Sequence, residues 1–203
     1  IIKNEEDLVL KYNKKEKKLI VSSKKPIIIR NDNLQYLISF EIQDFILDYR
    51  YINIKTKEYT VKTVTYTGTS FFKNLEKSNS KRVIKLRKKT YQGSVLHLMR
   101  AISKKQLKEE GYKVFYKSFQ VNPYKFFTIS TDENSKLVKV NLSKRINLLF
   151  KRRQSVMHSM VEEFTIDKYG NHAPLQQILF GGNMGNQRLG DSLPLDYEFT
   201  QDI

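Results

Sequence analysis

Arg87-Lys88-Lys89-Thr90-Tyr91-Gln92-Gly93-Ser94-Val95-Leu96-His97-Leu98-Met99-Arg100 is the stretch where the chain changes its period. Val95, Leu98, Met99 and Ile102 recur at helical spacing, with Lys104, Lys105 and Lys108 outside that stripe. Ser94 stands where an N-cap hydroxyl accepts an orphan amide, and Gly111 follows Glu110 where a left-handed C-cap is favoured. The spacing predicts a helix over Val95 to Glu110. Ser80 to Lys89 reads as a basic helix, and Ser70 to Leu75 as a short one.

Outward from this block, the signals are those of strands. Leu8 to Tyr12 and Lys18 to Ser22 flank the polar turn Asn13 to Lys17, a hairpin pattern. Pro26 opens Ile27 to Ile29, and Asn31-Asp32-Asn33 supplies a turn. Along Leu37 to Leu47, Ile38, Phe40 and Ile42 share a face. Phe45 falls out of phase, which predicts a bulge near Asp44. Tyr51 to Ile54, Tyr59 to Tyr66, Tyr112 to Lys117, Leu137 to Val140 and Ile146 to Phe150 repeat the β pattern. Ser130 to Ser135 is a polar loop. Glu163 to Ile166 and Leu175 to Phe180 flank Asp167 to Asn171 and are expected to form a second hairpin. The predicted class is α+β, mainly antiparallel β with one inserted helical segment around residues 70–110, in a single domain over residues 1–203.

Composition limits the chemistry. The 203 residues have a globular balance of apolar and charged side chains, and no cysteine. Thiolate nucleophiles, disulfides and cysteine-containing zinc sites are therefore excluded. No apolar run reaches the roughly 18 residues of a membrane-spanning helix. The net charge of +16 is uneven. Between Lys62 and Arg153 lie 23 basic and 5 acidic side chains, a net +18. Such a field favours an anionic partner, although exposed lysines also serve solubility alone.

Three histidines are too few and too scattered to suggest a metal centre. His158 and Glu162 stand at i, i+4, which would put both on one helix face, but Met157 and Met160 beside them suggest packing. Ser94 and His97 are close enough for a nucleophile–base pair. Ser94 has an ordinary cap role instead, and the Gly-x-Ser-x-Gly elbow is missing. Gly181 to Arg188 lacks the Gly-Lys-Ser/Thr of a phosphate loop and reads as a turn-rich segment needing positive φ. Arg188 and Asp191 are placed to pair across that turn. No catalytic residue, metal or cofactor is expected. The sharpest electrostatic feature is Lys81, Arg82, Lys85, Arg87, Lys88 and Lys89, joined by Lys151, Arg152 and Arg153. These nine are the candidate contacts to an anionic partner.

Several ordered fragments resemble a Bacteroidota family, the carboxypeptidase-like regulatory domain-containing proteins. They begin with Pro26-Ile27, Ile29, Asn31, Leu34 and Tyr36, then Phe40 to Phe45, Tyr66-x-Gly68 and Phe72-x-x-Leu75. Arg87-x-x-Thr90-Tyr91-x-Gly93-Ser94 follows with His97 and Arg100. Phe164 to Asp167, Gly170-Asn171 and Arg188-x-Gly190-Asp191-x-Leu193-Pro194-Leu195-Asp196-Tyr197 close the series. Gln35 departs from the family's glycine, and Leu98 from a common aromatic. The resemblance implies the segment after a regulatory-like β-sandwich in a longer exported precursor, at the periplasm or outer membrane. It carries over no catalytic residue. Ser94, His97, Arg100, Arg188 and Asp191 are its structural positions.

The expected function is a non-catalytic binding or scaffolding module of the cell envelope. Its expected partner is another envelope protein or outer-membrane complex, or anionic lipid headgroups. One alternative is an envelope enzyme acting on glycan or peptide, which a cleft with a His–carboxylate pair would favour. The other is a nucleic-acid-binding protein, for which no recognition motif is present.

Overall fold

A computed structural model describes residues 1–53 and 55–198. It is an α+β molecule, mostly antiparallel β-sheet with few helices. The chain divides into two compact units, Ile1–Ile84 and Lys85–Ile203.

The first unit is a five-stranded antiparallel sheet. Its strands are β1 (Leu8–Asn13), β2 (Lys18–Ser23), β3 (Ile27–Asn31), β4 (Tyr36–Asn53) and β5 (Glu58–Asn74). β4 runs the length of the sheet. One of its edges pairs with β3 and then β2, and the other pairs with β5 throughout. The expected first hairpin is present, with Tyr12 opposite Leu19. Tyr36, Ile38 and Phe40 alternate inward, opposite Ile27 and Ile29 of β3. The register slips between Ile42 and Asp44, so Phe45 returns to the face of Tyr66, against which its ring stacks at 5.5 Å. That is the bulge expected near Asp44. The end of the expected strand at Ile54 lies outside the described residues.

Ser70 to Leu75 does not form a helix, as its sequence suggested; Ser70 to Asn74 is the end of β5. Its period is two: Phe72 packs on Tyr36 with ring centroids 5.4 Å apart, while Phe71 faces solvent. Gln35 stands in the left-handed region that favours glycine. Its φ is +52°, and the strain is offset by side-chain bonds to the Asp32 carbonyl (2.7 Å) and the Lys77 amide (3.2 Å).

A basic helix, α1 (Lys81–Tyr91), carries the chain into the second unit, followed by α2 (Val95–Ser103). Nine strands come next: β6 (Tyr112–Tyr116), β7 (Phe119–Val121), β8 (Phe127–Thr131), β9 (Val138–Leu142), β10 (Ile146–Phe150), β11 (Arg153–Ser159), β12 (Phe164–Ile166), β13 (His172–Ala173) and β14 (Ile178–Gly181). A single turn, α3 (Gly182–Gly185), follows. The strands form sheets ordered β14-β11-β10-β6-β7 and β13-β12-β9-β8, all antiparallel. Leu98, Met99, Ala101 and Ile102 share one core with Ile146, Leu148 and Phe150 of β10, and with Val140, Phe164 and Ile166 of the other sheet.

Two expectations need correction here. α2 stops at Ser103, seven residues early. Lys105 adopts φ +55°, its amide bonds to the Ile102 carbonyl (3.0 Å), and Gln106 N–H reaches the Ala101 carbonyl (2.8 Å). This is a Schellman closure built on lysine. The reversal sends Leu107 into the core, fully buried, with its amide held by Tyr124 Oη at 2.9 Å. Gly111, at φ +84°, repeats the motif one turn later, through Gly111 N–H to Lys108 O and Tyr112 N–H to Leu107 O. The glycine signal was sound but belongs to a separate turn. The second hairpin also differs: β12 pairs with the short β13, whereas β14 pairs with β11.

Ser94 caps α2 as expected, its Oγ accepting His97 N–H at 3.1 Å. Ser94→Ala is expected to lower stability by roughly 1 kcal/mol, read as a lower denaturant midpoint at unchanged m-value.

Candidate functional site

The site region is the N-terminal half of α2 and what converges on it in the second unit. Gly93 turns the chain at φ +75°; a Cβ there would lie 2.7 Å from the Phe150 ring. With the turn so placed, Gly93 N–H points at His97 Nδ1, 3.0 Å away. An amide only donates, so Nδ1 is an acceptor and the neutral ring carries its proton on Nε2. Tyr112 Oη also approaches Nδ1 at 3.0 Å, and Nε2 stands 2.9 Å from Glu110 Oε2. Rings of Tyr91, Tyr112 and Phe150 surround the imidazole at 4.9–5.3 Å. Burial holds the His97 pKa below its ordinary value, although Glu110 opposes this. Burial also pushes the Tyr112 phenol far above its ordinary value. The ring thus welds the turn before α2 to the turn before β6. Ser94 Oγ meets the backbone of His97, not its ring, so the two form a cap and no nucleophile–base pair.

Arg100 lies one turn further along and is buried. Its Nε donates to the Tyr169 carbonyl (2.9 Å), Nη1 to the Tyr197 carbonyl (2.8 Å) and Nη2 to the Leu195 carbonyl (2.6 Å). Nη1 also reaches Tyr91 Oη at 3.3 Å, and the guanidinium lies 5.3 Å from that ring's centre. Asp167 Oδ1 accepts the amides of Tyr169 (2.8 Å) and Asn171 (2.9 Å), which shapes the turn presenting the Tyr169 carbonyl. Gly170, at φ +86°, leaves room: a Cβ would sit 2.7 Å from Arg100 Cγ. Fragments separated by up to a hundred residues therefore meet on one side chain.

The candidate cations divide. Along α1, Lys81, Lys85, Lys88 and Lys89 follow each other at i, i+4, i+7 and i+8 and are exposed, as is Arg82. Val83 is buried, with Leu86, Arg87 and Thr90 half-buried on the opposite side. Lys81 and Arg82 belong to the first unit, and Lys85 onward to the second. Lys151 and Arg152 are exposed on the β10–β11 turn. Lys151 Nζ bonds to Gln92 Oε1 at 2.8 Å. Arg153 is turned inward: its Nη2 donates to the Gln92 carbonyl, and its guanidinium covers the Phe150 ring at 5.4 Å. Lys88 and Lys151 line a shallow cleft of about 370 Å³ with Tyr91, His97, Glu110 and Glu198. The cleft thus has mixed charge.

The remaining candidates are placed as follows. His158 lies in strand β11, opposite Leu179, so the helix face it was to share with Glu162 does not exist. Among the described residues no His, Asp or Glu cluster could hold a metal ion. Gly182 has φ +65°, and its Cβ would lie 2.6 Å from the Gln154 carbonyl; Met184 N–H bonds to Ser155 Oγ at 3.2 Å. The glycine-rich stretch is thus packed onto β11. Arg188 and Asp191 are joined by backbone, Asp191 N–H to Arg188 O at 2.9 Å. The ion pairs among the described residues do not include their side chains. Sequence reasoning missed Glu110 and Tyr112 as partners of His97, because no local spacing links them to it.

Arg100→Leu is expected to strand three carbonyls and cost roughly 3 kcal/mol or more in denaturant unfolding. Arg100→Lys should recover only part, since an ammonium lacks the planar fork. Stability should also fall with acid. Burial lowers the pKa of His97, and that of His172 to about 4. Unfolded histidines bind protons near their ordinary value of 6.5, while the folded His172 resists protonation down to about 4. Stability is therefore full above 6.5 and falls as pH drops toward 4, by roughly 3 kcal/mol for His172. Unfolding followed at pH 7.5 and 4.5 checks this, with His172→Phe flattening the difference.

Comparison of the chain with protein-family models, with curated proteins and with solved structures finds no match.

Proposed function

We propose that this chain is a non-catalytic docking module of a Bacteroidota cell envelope, exported to the periplasm or the outer membrane. It docks on an acidic face of an envelope protein through Lys85, Lys88 and Lys89 of α1, with Lys151 and Arg152 beside them. The observation that carries the reading is the exposed lysine face of α1. None of these five cations enters an ion pair among the described residues. Lys88 and Lys89 do suit the negative end of the helix dipole, a role worth a few tenths of a kcal/mol to about 1 kcal/mol. That role needs only the last turn, whereas the lysine face runs the whole helix. The surrounding field, net +18 between Lys62 and Arg153 from 23 basic and 5 acidic side chains, steers an acidic partner onto it. The envelope location rests on the family resemblance.

One observation favours an envelope enzyme: the His97–Glu110 pair lines a cleft. Against it, Nδ1 is taken by Gly93 N–H and Tyr112 Oη, and Nε2 by Glu110. The ring has no nitrogen left for a substrate proton. The docking reading accounts for more of the surface.

Capture from detergent-solubilised envelopes should therefore weaken steeply between low and high salt. Charge reversal at Lys85, Lys88 and Lys89 should reduce low-salt capture at least tenfold without changing the melting temperature. Partners that survive both treatments would overturn electrostatic docking. Binding that moves instead to vesicles with anionic lipid would assign the surface to headgroups.

A further inference from the structure

The sheet of the first unit has three outer edges, and two of them are defended. The β3 edge is covered by the chain's first residues: Lys3 N–H bonds to Ile28 O and Arg30 N–H to Ile1 O, each at 2.8 Å. The β1 edge is short and carries Lys11, with Lys14, Lys15 and Lys17 in the adjoining turn. The third edge is β5, seventeen residues long and paired on one side only among the described residues. Strand edges are normally blunted by charge, proline or bulges, because their free amides and carbonyls recruit other strands. From Thr63 to Phe72, β5 has no charged residue and no proline. Its own register slip, at Lys62, lies just before this run. The open run is about 33 Å long.

Its side chains sort by face. Tyr66 and Val64 stand opposite Phe45 and Leu47, and Thr63, Thr65 and Thr67 stand opposite Asp48, Ile46 and Asp44. Tyr66 and Val64 remain 37% and 49% exposed within this chain. The edge therefore offers an apolar row and a threonine row.

We propose that β5 pairs with β5 of a second copy of this chain, antiparallel about a twofold axis at Tyr66. In that register Thr65 faces Thr67 and Thr63 faces Thr69, on the threonine row. Tyr66 faces its own counterpart, and Val64 faces Gly68. Lys62 meets Ser70, and Lys73 meets Tyr59, so no like charges stand opposed. Threonine and aromatic cross-strand pairs are those that stabilise antiparallel sheets. A twofold contact asks a surface to complement itself, and an uncharged alternating strand does so without a partner of special charge. Within the first unit, the lysine-rich β1–β2 hairpin lies on the far side of β4 from this edge. A dimer would present two copies of α1, multiplying the avidity of a weak electrostatic contact.

Sedimentation velocity of the full chain tests this, with far-UV circular dichroism as the check on folding. The native chain should sediment as a dimer. Thr65→Lys combined with Thr67→Lys sets lysine against lysine across the axis and should raise the dimer dissociation constant at least tenfold. Thr65→Glu with Thr67→Lys sets glutamate against lysine instead and should keep the dimer, while leaving a lysine beside Asp44 in each variant. A native chain that is monomeric at high micromolar concentration overturns the proposal. So does a dimer that the double lysine variant leaves intact, or one that both variants break equally while folded.

Discussion

A buried guanidinium bonded to three backbone carbonyls organises the second unit. Burying a cation is costly unless every donor is satisfied. Among the bonds of Arg100, carbonyls of Tyr169, Leu195 and Tyr197 and the Tyr91 hydroxyl do this. Backbone carbonyls cannot be supplied by a side-chain substitution elsewhere; they require the chain to pass at a fixed place. The turn at Asp167 to Asn171 and the segment at Leu195 to Tyr197 are thus both held to α2 by bonds from the Arg100 side chain. Gly170 and Asp167 follow from that requirement, the first by leaving space and the second by shaping the turn.

His97 extends the same logic toward the opposite end of α2. Its Nδ1 satisfies the Gly93 amide, one of the groups a sharp turn leaves unpaired. Its other nitrogen reaches Glu110, which sits on the turn that Gly111 closes. Ser94, His97 and Arg100 lie at i, i+3 and i+6, so one helix face ties down the chain on both sides of α2. Tyr91, Gly93, Tyr169, Leu195 and Tyr197, spread over more than a hundred residues, are the other ends of these bonds.

Much of this was legible in the sequence, and the gaps have physical causes. The first hairpin, the bulge near Asp44, the helix at Lys81–Tyr91 and the Ser94 cap all rest on neighbours within a few residues. The misses were contests between local pattern and distant contact. Phe71-Phe72 after Ser70 looked helical, yet β4 offers a continuous edge that extends the strand. α2 was expected to reach Glu110, because Lys105 gives no sign of a left-handed conformation; the reversal places Leu107 in the core. The partner of β12 was misassigned because β13 is only two residues long. The roles of His97 and Arg100 could be named as positions but not explained, since Glu110, Tyr112, Leu195 and Tyr197 share no spacing with them.

The basic residues themselves separate by chemistry. Arg100 and Arg153 turn inward, where a planar fork matches carbonyls and lies over aromatic rings. Lys85, Lys88 and Lys89 stay outside as strongly hydrated point charges, and a lysine gains little from burial in such a network. Net charge alone therefore overstates the surface available to a partner, because part of it is spent in holding turns together. What is left outside is still arranged. It lies on one side of α1, whose other side carries the half-buried Leu86, Arg87 and Thr90, so the lysines share a direction that their own flexibility would not supply. An acidic surface meeting that helix would engage several charges for the ordering of one rigid element, and this is the physical ground on which the docking proposal stands.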